Sequence, residues 1–151
     1  MKYQIIRLSP QEFYKCANIW NMEEQRRLVE QFEKELLTGN RITYIYQING
    51  KFIGEISLVF DTNDPDYTID GQRIYVSHLI VKPEYRRTGI GQTLVHFIME
   101  KASEMGYTEM SVGVDLDNYP ALKLYINCGF EKIIYIGKDN HGEYLKLLRI
   151  V

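Results

Sequence analysis

The feature that most constrains the fold is a short glycine-containing segment at residues 86–91, between an apolar run and an amphipathic stretch. The apolar run, residues 76–81, is typical of a strand, and a helical pattern opens at Gln92. Backbone N–H groups at a helix N-terminus have no partner within the helix and carry partial positive charge, so they can bind a diphosphate. Since Gly89 and Gly91 have no side chains, the segment predicts an anion-binding turn.

Seven stretches have the composition of β-strands. They are residues 3–8, 43–48, 51–60, 73–81, 109–114, 130–136 and 144–150. Asn49-Gly50 joins the second and third stretches, and both residues tolerate positive φ. This dipeptide predicts an antiparallel hairpin.

Four helices are predicted between the strands. Ser9, Pro10 and Glu12 supply an N-cap, a first-turn proline and a capping-box glutamate for the first. Gly39 ends the second, which carries Leu28, Phe32 and Leu36 on one face. The third runs from Gln92 to Met105 before Gly106, and the fourth covers residues 119–128.

The order β-α-α-β-β-β-α-β-α-β-β mixes hairpins with βαβ crossovers. This order predicts an α/β fold with one mixed sheet flanked by helices. The 151 residues are enough for one core, so we expect residues 1–151 to form a single domain.

Composition excludes several classes of protein. A net charge of −2 argues against a general nucleic-acid or anionic-membrane binder, both of which need a basic excess. No run of 18 apolar residues and no signal-peptide pattern occurs, which indicates a soluble cytoplasmic protein. Cys16 and Cys128 match no metal-ligand spacing, so we expect two reduced, buried thiols and no metal.

The glycine segment is not a common nucleotide fingerprint. A dinucleotide-binding turn needs glycine or alanine where this chain has Leu94, and a P-loop needs Gly-Lys-Ser/Thr, which the segment lacks. What remains is Arg-x-x-Gly-x-Gly, in which Arg86 and Arg87 add charge to the backbone amides.

Two blocks carry a family resemblance. Residues 81–91 read Val-Lys-Pro-Glu-Tyr-Arg-Arg-Thr-Gly-Ile-Gly, and residues 118–130 read Asn-Tyr-Pro-Ala-Leu-Lys-Leu-Tyr-Ile-Asn-Cys-Gly-Phe. The first is similar to the acetyl-coenzyme A signature of the GCN5-related N-acetyltransferase (GNAT) family. The second resembles that family's Asn-x-x-Ala-x-x-Leu-Tyr-x-x-x-Gly-Phe element. The strand and helix order resembles the family over the whole chain.

The resemblance implies a centrally splayed sheet with acetyl-coenzyme A, as co-substrate, between strands 73–81 and 109–114. The implied cofactor-binding residues are Leu79, Ile80, Val81, Arg86, Arg87, Thr88, Gly89, Ile90, Gly91, Gln92, Thr93, Asn118, Ala121 and Leu124. Asn118 has a second interpretation, because asparagine is also a common helix N-cap.

An amine acceptor with a pKa near 10.4 loses its proton at pH 7 at a cost of about 4.6 kcal/mol, so a base or a water relay is expected. The candidates are Glu55, Ser77 and His78. The alternative for Glu55 is an outward, solvated residue. Strict alternation places His78 on the opposite strand face from Leu79. By resemblance, carboxylate or histidine bases of the family often occupy the positions of Tyr75 and Ser77. This chain has neither residue type there, which favours a water relay through Ser77, Tyr75 or Glu55.

Tyr125 is the expected catalytic residue at the leaving thiolate, by resemblance. Proton transfer from a tyrosine with pKa near 10 to a thiolate with pKa near 8.5 is uphill by about 2 kcal/mol, so hydrogen bonding is the better description. A tyrosine packed against Leu122 and Ile126 is the alternative. Cys128 has no histidine near it in sequence, which favours direct attack in a ternary complex.

The acceptor is predicted to be a small cationic amine. Four aspartates in the loop 61–72, with Asp115 and Asp117, could attract a cation, although they could equally be turn formers. The alternatives are a protein N-terminal or lysine acetyltransferase and a non-catalytic acetyl-coenzyme A sensor. Apolar residues in 130–136 and in the last strand make a homodimer another expectation.

Overall fold

Seven strands and three α-helices form the regular structure in residues 2–151, the part of the chain that the computed structural model describes. The strands are β1 (Tyr3–Arg7), β2 (Arg41–Ile48), β3 (Lys51–Val59), β4 (Arg73–Val81), β5 (Glu109–Asp115), β6 (Lys132–Asp139) and β7 (Gly142–Ile150). The helices are α1 (Arg26–Thr38), α2 (Ile90–Glu104) and α3 (Tyr119–Asn127). Three 3₁₀ helices cover Pro10–Asn18, Glu23–Gln25 and Pro83–Tyr85.

The strands are hydrogen-bonded in the order β1-β2-β3-β4-β5-β7-β6. β4 pairs with β5 in parallel, whereas β1 with β2, β5 with β7 and β6 with β7 are antiparallel. This mixture confirms the predicted α/β class with a mixed sheet flanked by helices. The parallel ladder runs from Arg73–Glu109 to Val76–Val112 and ends there, although β4 continues to Val81.

The chain divides into two compact units. The first contains residues 2–58 and 78–94, and the second contains residues 59–77 and 95–151. The prediction of a single domain stays a prediction. The core of the first unit is a cluster of buried side chains contributed by Leu8, Phe13, Cys16, Ile19, Trp20, Phe32, Leu36, Ile45 and Phe52.

The second unit buries apolar side chains on α2, β5 and β7. Its most deeply buried members include Ile98, Ala102, Met110, Phe130 and Leu147. β6 is the last strand in the pairing order, and Ile133 and Ile136 on it are exposed. The predicted dimer across this strand stays a prediction.

The first predicted helix is a 3₁₀ helix rather than an α-helix. The prediction of a capping box at its start is wrong. Ser9 makes no side-chain cap hydrogen bond. The Glu12 amide instead donates to the Ser9 carbonyl at 2.9 Å, and the Glu12 carboxylate pairs with Lys15. Because the carboxylate has this nearer partner, it does not reach back to the N-cap.

Two other local predictions are confirmed. Asn49 and Gly50 have φ of 51° and 79° between β2 and β3, as the hairpin requires. Gly39 ends α1 with φ of 80°, and its amide donates to the Leu36 carbonyl.

Candidate functional site

The glycine segment forms the predicted strand-to-helix turn within the first unit. β4 ends at Val81, and α2 begins at Ile90, two residues before the expected start. Arg87 and Gly89 have φ of 64° and 86°. A Cβ added to Gly89 would meet no atom within 4 Å. The turn therefore leaves open space before the first amides of α2.

Local hydrogen bonds fix the shape of this turn. Arg86 Nε donates to the Val81 carbonyl at 2.9 Å, and Thr88 Oγ1 donates to the Tyr85 carbonyl at 2.5 Å. Thr93 Oγ1 donates to the Gly89 carbonyl at 2.9 Å. The Thr93 hydroxyl proton is thus used within the helix, and its expected contact with a diphosphate stays a prediction.

Close packing against β3 positions the start of α2. A Cβ on Gly54 would lie 3.3 Å from the Ile80 carbonyl oxygen, 3.4 Å from Leu94 Cδ1 and 3.5 Å from Ile90 Cγ2. The shortest of these distances is below ordinary van der Waals contact, so a side chain here would require β4 to shift by a few tenths of an ångström. The absence of a Cβ at Gly54 lets the strand approach the helix.

A second group of polar side chains, Trp20, Glu55 and His78, also lies in the first unit. Trp20 Nε1 donates to Glu55 Oε1 at 2.6 Å, and His78 Nδ1 lies 3.1 Å from Glu55 Oε2. Glu55 is only 1% exposed. The interpretation of Glu55 as an outward, solvated residue is therefore wrong, because both carboxylate oxygens have buried or half-buried partners.

His78 interrupts the alternation that the sequence predicted for β4. Its φ is 57°, in the left-handed region that residues other than glycine adopt at a cost. Ile74 and Val76 follow the expected alternation, but Ser77 is also buried. Because a left-handed residue within a strand can break the period of two, the placement of His78 on the face opposite Leu79 stays a prediction.

Aromatic rings surround the His78 imidazole. The Trp20 and Phe32 rings lie edge-to-face with it, at centroid distances of 4.7 and 5.0 Å. The Arg41 guanidinium lies 3.7 Å from the centre of the Phe32 ring. Cys16 is fully buried beside Glu55, and burial is the main cause that raises the pKa of its thiol.

Other expected site residues belong to the second unit. Ser77 is buried in β4. Tyr125 is buried in α3, where its ring meets Phe130 edge-on at 5.5 Å. Burial raises the pKa of the Tyr125 phenol, so it remains protonated at neutral pH. Asn118 Oδ1 accepts a hydrogen bond from the Ala121 amide at 3.4 Å, which confirms its N-cap role. Their cofactor contacts, and that of Leu124, stay predictions.

Trp20 and Lys146 make polar contacts that no sequence pattern predicted. Lys146 Nζ lies 2.9 Å from Asp64 Oδ2 and 3.0 Å from Asp66 Oδ2, within the second unit. Two of the loop aspartates thus have a partner inside the protein, which weakens their expected attraction for a substrate cation. No pattern in the sequence links positions that lie about 80 residues apart.

Among the surface cavities lined by the described residues, two have volumes of several hundred Å³. One, in the first unit, has a volume of about 400 Å³, and its walls include Asn18, Trp20, Glu23 and Lys82. The other, in the second unit, has about 530 Å³ and contains none of the predicted site residues.

Two features are absent from residues 2–151, the described part of the chain. No three His, Cys, Asp or Glu side chains there are grouped to bind a metal ion. None of the helices in that range combines the length and the apolar character needed to cross a membrane.

Comparisons with known proteins agree on one family. The model of the "Acetyltransferase (GNAT) family" matches residues 3–130. "N-acetyltransferase family 8 member 3" of Rattus norvegicus is 30% identical over 89 residues, which are 59% of this chain and 38% of that protein. The chain spans less than half the length of the first curated relatives it matches.

Solved structures share the fold over nearly all of the chain. "IAA acetyltransferase from Bacillus cereus ATCC 14579" has a TM-score of 0.76 and 19% identity, with 99% of this chain and 100% of that chain covered. A GNAT family acetyltransferase from Elizabethkingia anophelis, solved with acetyl-CoA bound, has a TM-score of 0.73 and 18% identity, with 99% and 98% covered.

Proposed function

Because the chain belongs to the GNAT acetyltransferase family, we propose that it transfers an acetyl group from acetyl-coenzyme A to a primary amine. The observation that carries this proposal is the turn before α2. Gly89 there adopts a left-handed conformation with open space beside it, inside the range that the family model matches. This geometry suits a diphosphate, which binds at unobstructed helix N-termini.

In this proposal the backbone amides of residues 87–92 bind the diphosphate, and Arg86 and Arg87 add positive charge. The β4 segment Leu79–Val81 leads directly into the turn. Its backbone groups would bind the pantetheine arm and the acetyl group, as extended backbone commonly binds extended ligands.

The reaction is a direct attack in a ternary complex. The neutral amine forms a C–N bond with the thioester carbonyl carbon, the C–S bond breaks, and the coenzyme thiolate takes a proton. A covalent route through Cys128 is disfavoured, because burial raises the pKa of its thiol.

Tyr125 is proposed to donate a hydrogen bond to the leaving thiolate. Its buried phenol has a raised pKa, which makes complete proton transfer less favourable than for an exposed tyrosine. Its contribution is therefore stabilisation of developing negative charge.

A small amine is the proposed acceptor. The cavity of about 400 Å³ has the size of a small-molecule site, and Glu23 supplies one carboxylate to its wall. The aspartates of the loop 61–72 give less support for a cationic acceptor than the sequence suggested. Asp61 and Asp64 accept hydrogen bonds from backbone amides two residues ahead, as turn formers do.

A thiol-release assay tests the function. Purified protein is incubated with acetyl-coenzyme A and separate panels of simple amines, polyamines, aminoglycosides and peptides. Release that depends on a small amine supports the proposal. Release only with peptides would replace the small acceptor with a protein, whereas coenzyme binding without release would indicate a sensor.

A further inference from the structure

Glu55 and His78 form a hydrogen-bonded pair in which the two side chains differ in exposure and in hydrogen-bonding role. We infer that His78 removes the proton from the acceptor ammonium through Nε2, and that Glu55 and Trp20 are positioning residues for the imidazole. This inference rests on the proposed acetyltransferase function.

The Glu55 carboxylate is fully engaged inside the protein. Oε1 accepts the Trp20 indole N–H at 2.6 Å, and Oε2 lies 3.1 Å from His78 Nδ1. Its side chain is 1% exposed, whereas that of His78 is 14% exposed. Because the imidazole is the more accessible member of the pair, it can exchange a proton with a substrate while Glu55 remains behind it.

The pairing also fixes the tautomer of the imidazole. A carboxylate only accepts hydrogen bonds, so His78 Nδ1 must carry the hydrogen. In the neutral imidazole Nε2 then holds the lone pair, which is the form required of a general base. The indole N–H of Trp20 holds Glu55 in place from its other oxygen. In hydrolase triads a buried carboxylate orients the catalytic histidine in the same way.

The backbone and the surrounding rings hold His78 in a costly conformation. Its φ of 57° lies in the left-handed region, which a residue other than glycine adopts at a cost, and such residues cluster at functional sites. Trp20 and Phe32 pack edge-on against the imidazole. A solvent-exposed strand histidine with only a structural role would need neither the left-handed backbone nor the edge-on contacts with two aromatic rings.

The proton transfer balances without a further reactant. The acceptor ammonium gives one proton to His78 Nε2 and becomes a neutral amine. The amine then forms the C–N bond, the C–S bond breaks, and the thiolate takes the second proton from nitrogen. His78 finally releases its proton to water.

Few charged groups act on this imidazole. Glu55 faces it from β3, and Cys16 on the first 3₁₀ helix lies beside Glu55. On the α1 side, Phe32 meets the ring, with the Arg41 guanidinium 3.7 Å from the Phe32 ring centre.

Nitrogen NMR of the labelled full chain tests the tautomer without measuring activity. The wild type should show His78 protonated at Nδ1. In Glu55→Gln the amide oxygen must still accept from Trp20, so the amide N–H₂ faces the imidazole and should move its proton to Nε2. A wild-type Nε2–H tautomer, or no change in E55Q, would overturn the pairing.

Kinetics test the proton transfer. Asparagine tolerates positive φ and can keep an N–H donor toward Glu55, so His78→Asn removes the base with little effect on the backbone. We expect kcat at pH 7 to fall about 100-fold, with KM for acetyl-coenzyme A unchanged. Activity should recover as pH rises toward the pKa of the amine itself. His141→Asn, at an exposed turn histidine, is the matched control.

The positioning residues should behave as one unit with His78. E55Q should lower kcat as much as H78N, and the double variant should be no worse than either single variant. Trp20→Phe keeps a ring but loses the donor to Glu55, and should lower kcat about 3-fold to 10-fold. Unchanged coenzyme A affinity by calorimetry shows that the variants are folded.

Different results would overturn the role of His78 and the acetyltransferase function. An active wild type together with H78N of unchanged turnover at pH 7 overturns the role of His78 and leaves the acetyltransferase function standing. A wild type that releases no thiol with any amine overturns both.

Discussion

Lys146 Nζ lies 2.9 Å from Asp64 Oδ2, and this ion pair joins the middle of β7 to the loop after β3. Asp66 Oδ2 is 3.0 Å from the same ammonium. The Tyr67 and Tyr135 rings lie 4.9 and 4.7 Å from it, close enough for cation–π attraction. The buried Lys146 therefore links the loop after β3 to β7.

Lys146→Met should destabilise the second unit and loosen this loop. The lysine side chain is 10% exposed, but Asp64 and Asp66 are 36% and 42% exposed, so solvent weakens both ion pairs. We expect the free energy of unfolding to fall by about 1–2 kcal/mol in urea titrations. Lys138→Met, at an exposed position on β6, is the control and should change it by less than about 0.5 kcal/mol.

The contribution of this ion pair should depend on pH. The hydrogen bond from Lys146 is the main cause that lowers the pKa of Asp64. Burial opposes the charge on Lys146, but hydrogen bonds to Asp64 and Asp66 outweigh it and raise the pKa of the lysine. Asp64 stabilises the fold above its unfolded pKa of about 3.9, and this is lost as pH falls through the folded value.

The stability difference between wild type and K146M should therefore be present at pH 7 and shrink as pH falls below about 4. Urea titrations of both proteins at pH 7, 5 and 3 measure it. A difference that stays constant over this range would mean that the lysine stabilises the loop only through packing against the tyrosines.

Local signals explain why much of the fold was predictable from sequence. Asn49-Gly50, Gly39 and the glycine turn act through φ angles that few other residues adopt, so their effect does not depend on distant contacts. Short-range rules of this kind predict the hairpin, the end of α1 and, to within two residues, the start of α2.

The predictions that failed depended on partners distant in sequence. Glu55 is buried because Trp20 and His78 satisfy its oxygens, 35 and 23 residues away. No local sequence pattern predicts hydrogen bonds between residues so far apart in the chain. The left-handed His78 was equally hidden, because histidine carries no strong preference that would reveal it in an apolar strand.

Gly89→Val should weaken coenzyme A binding at least 10-fold. The substitution strains a left-handed residue and places methyl groups in the open space beside the turn. Isothermal calorimetry with coenzyme A measures the change in Kd. Normal affinity would contradict the diphosphate site.

Gly71→Val is the matched control for this experiment. Gly71 has φ of 70° and, like Gly89, no atom within 4 Å of an added Cβ. Both variants should lose about 1–3 kcal/mol of stability through backbone strain. Only G89V should lose coenzyme affinity, which separates the effect on the site from the effect on the fold.

Tyr125→Phe should lower kcat about 10-fold or more and leave coenzyme A affinity unchanged. The ring would keep its edge-on contact with Phe130, so the variant should fold, and only the hydrogen-bond donor is lost. Thiol-release kinetics and calorimetry together measure the two effects. Tyr119→Phe, at a largely exposed tyrosine on the same helix, should match wild type. If Y125F also turns over at the wild-type rate, Tyr125 serves packing alone, and another group must stabilise the thiolate.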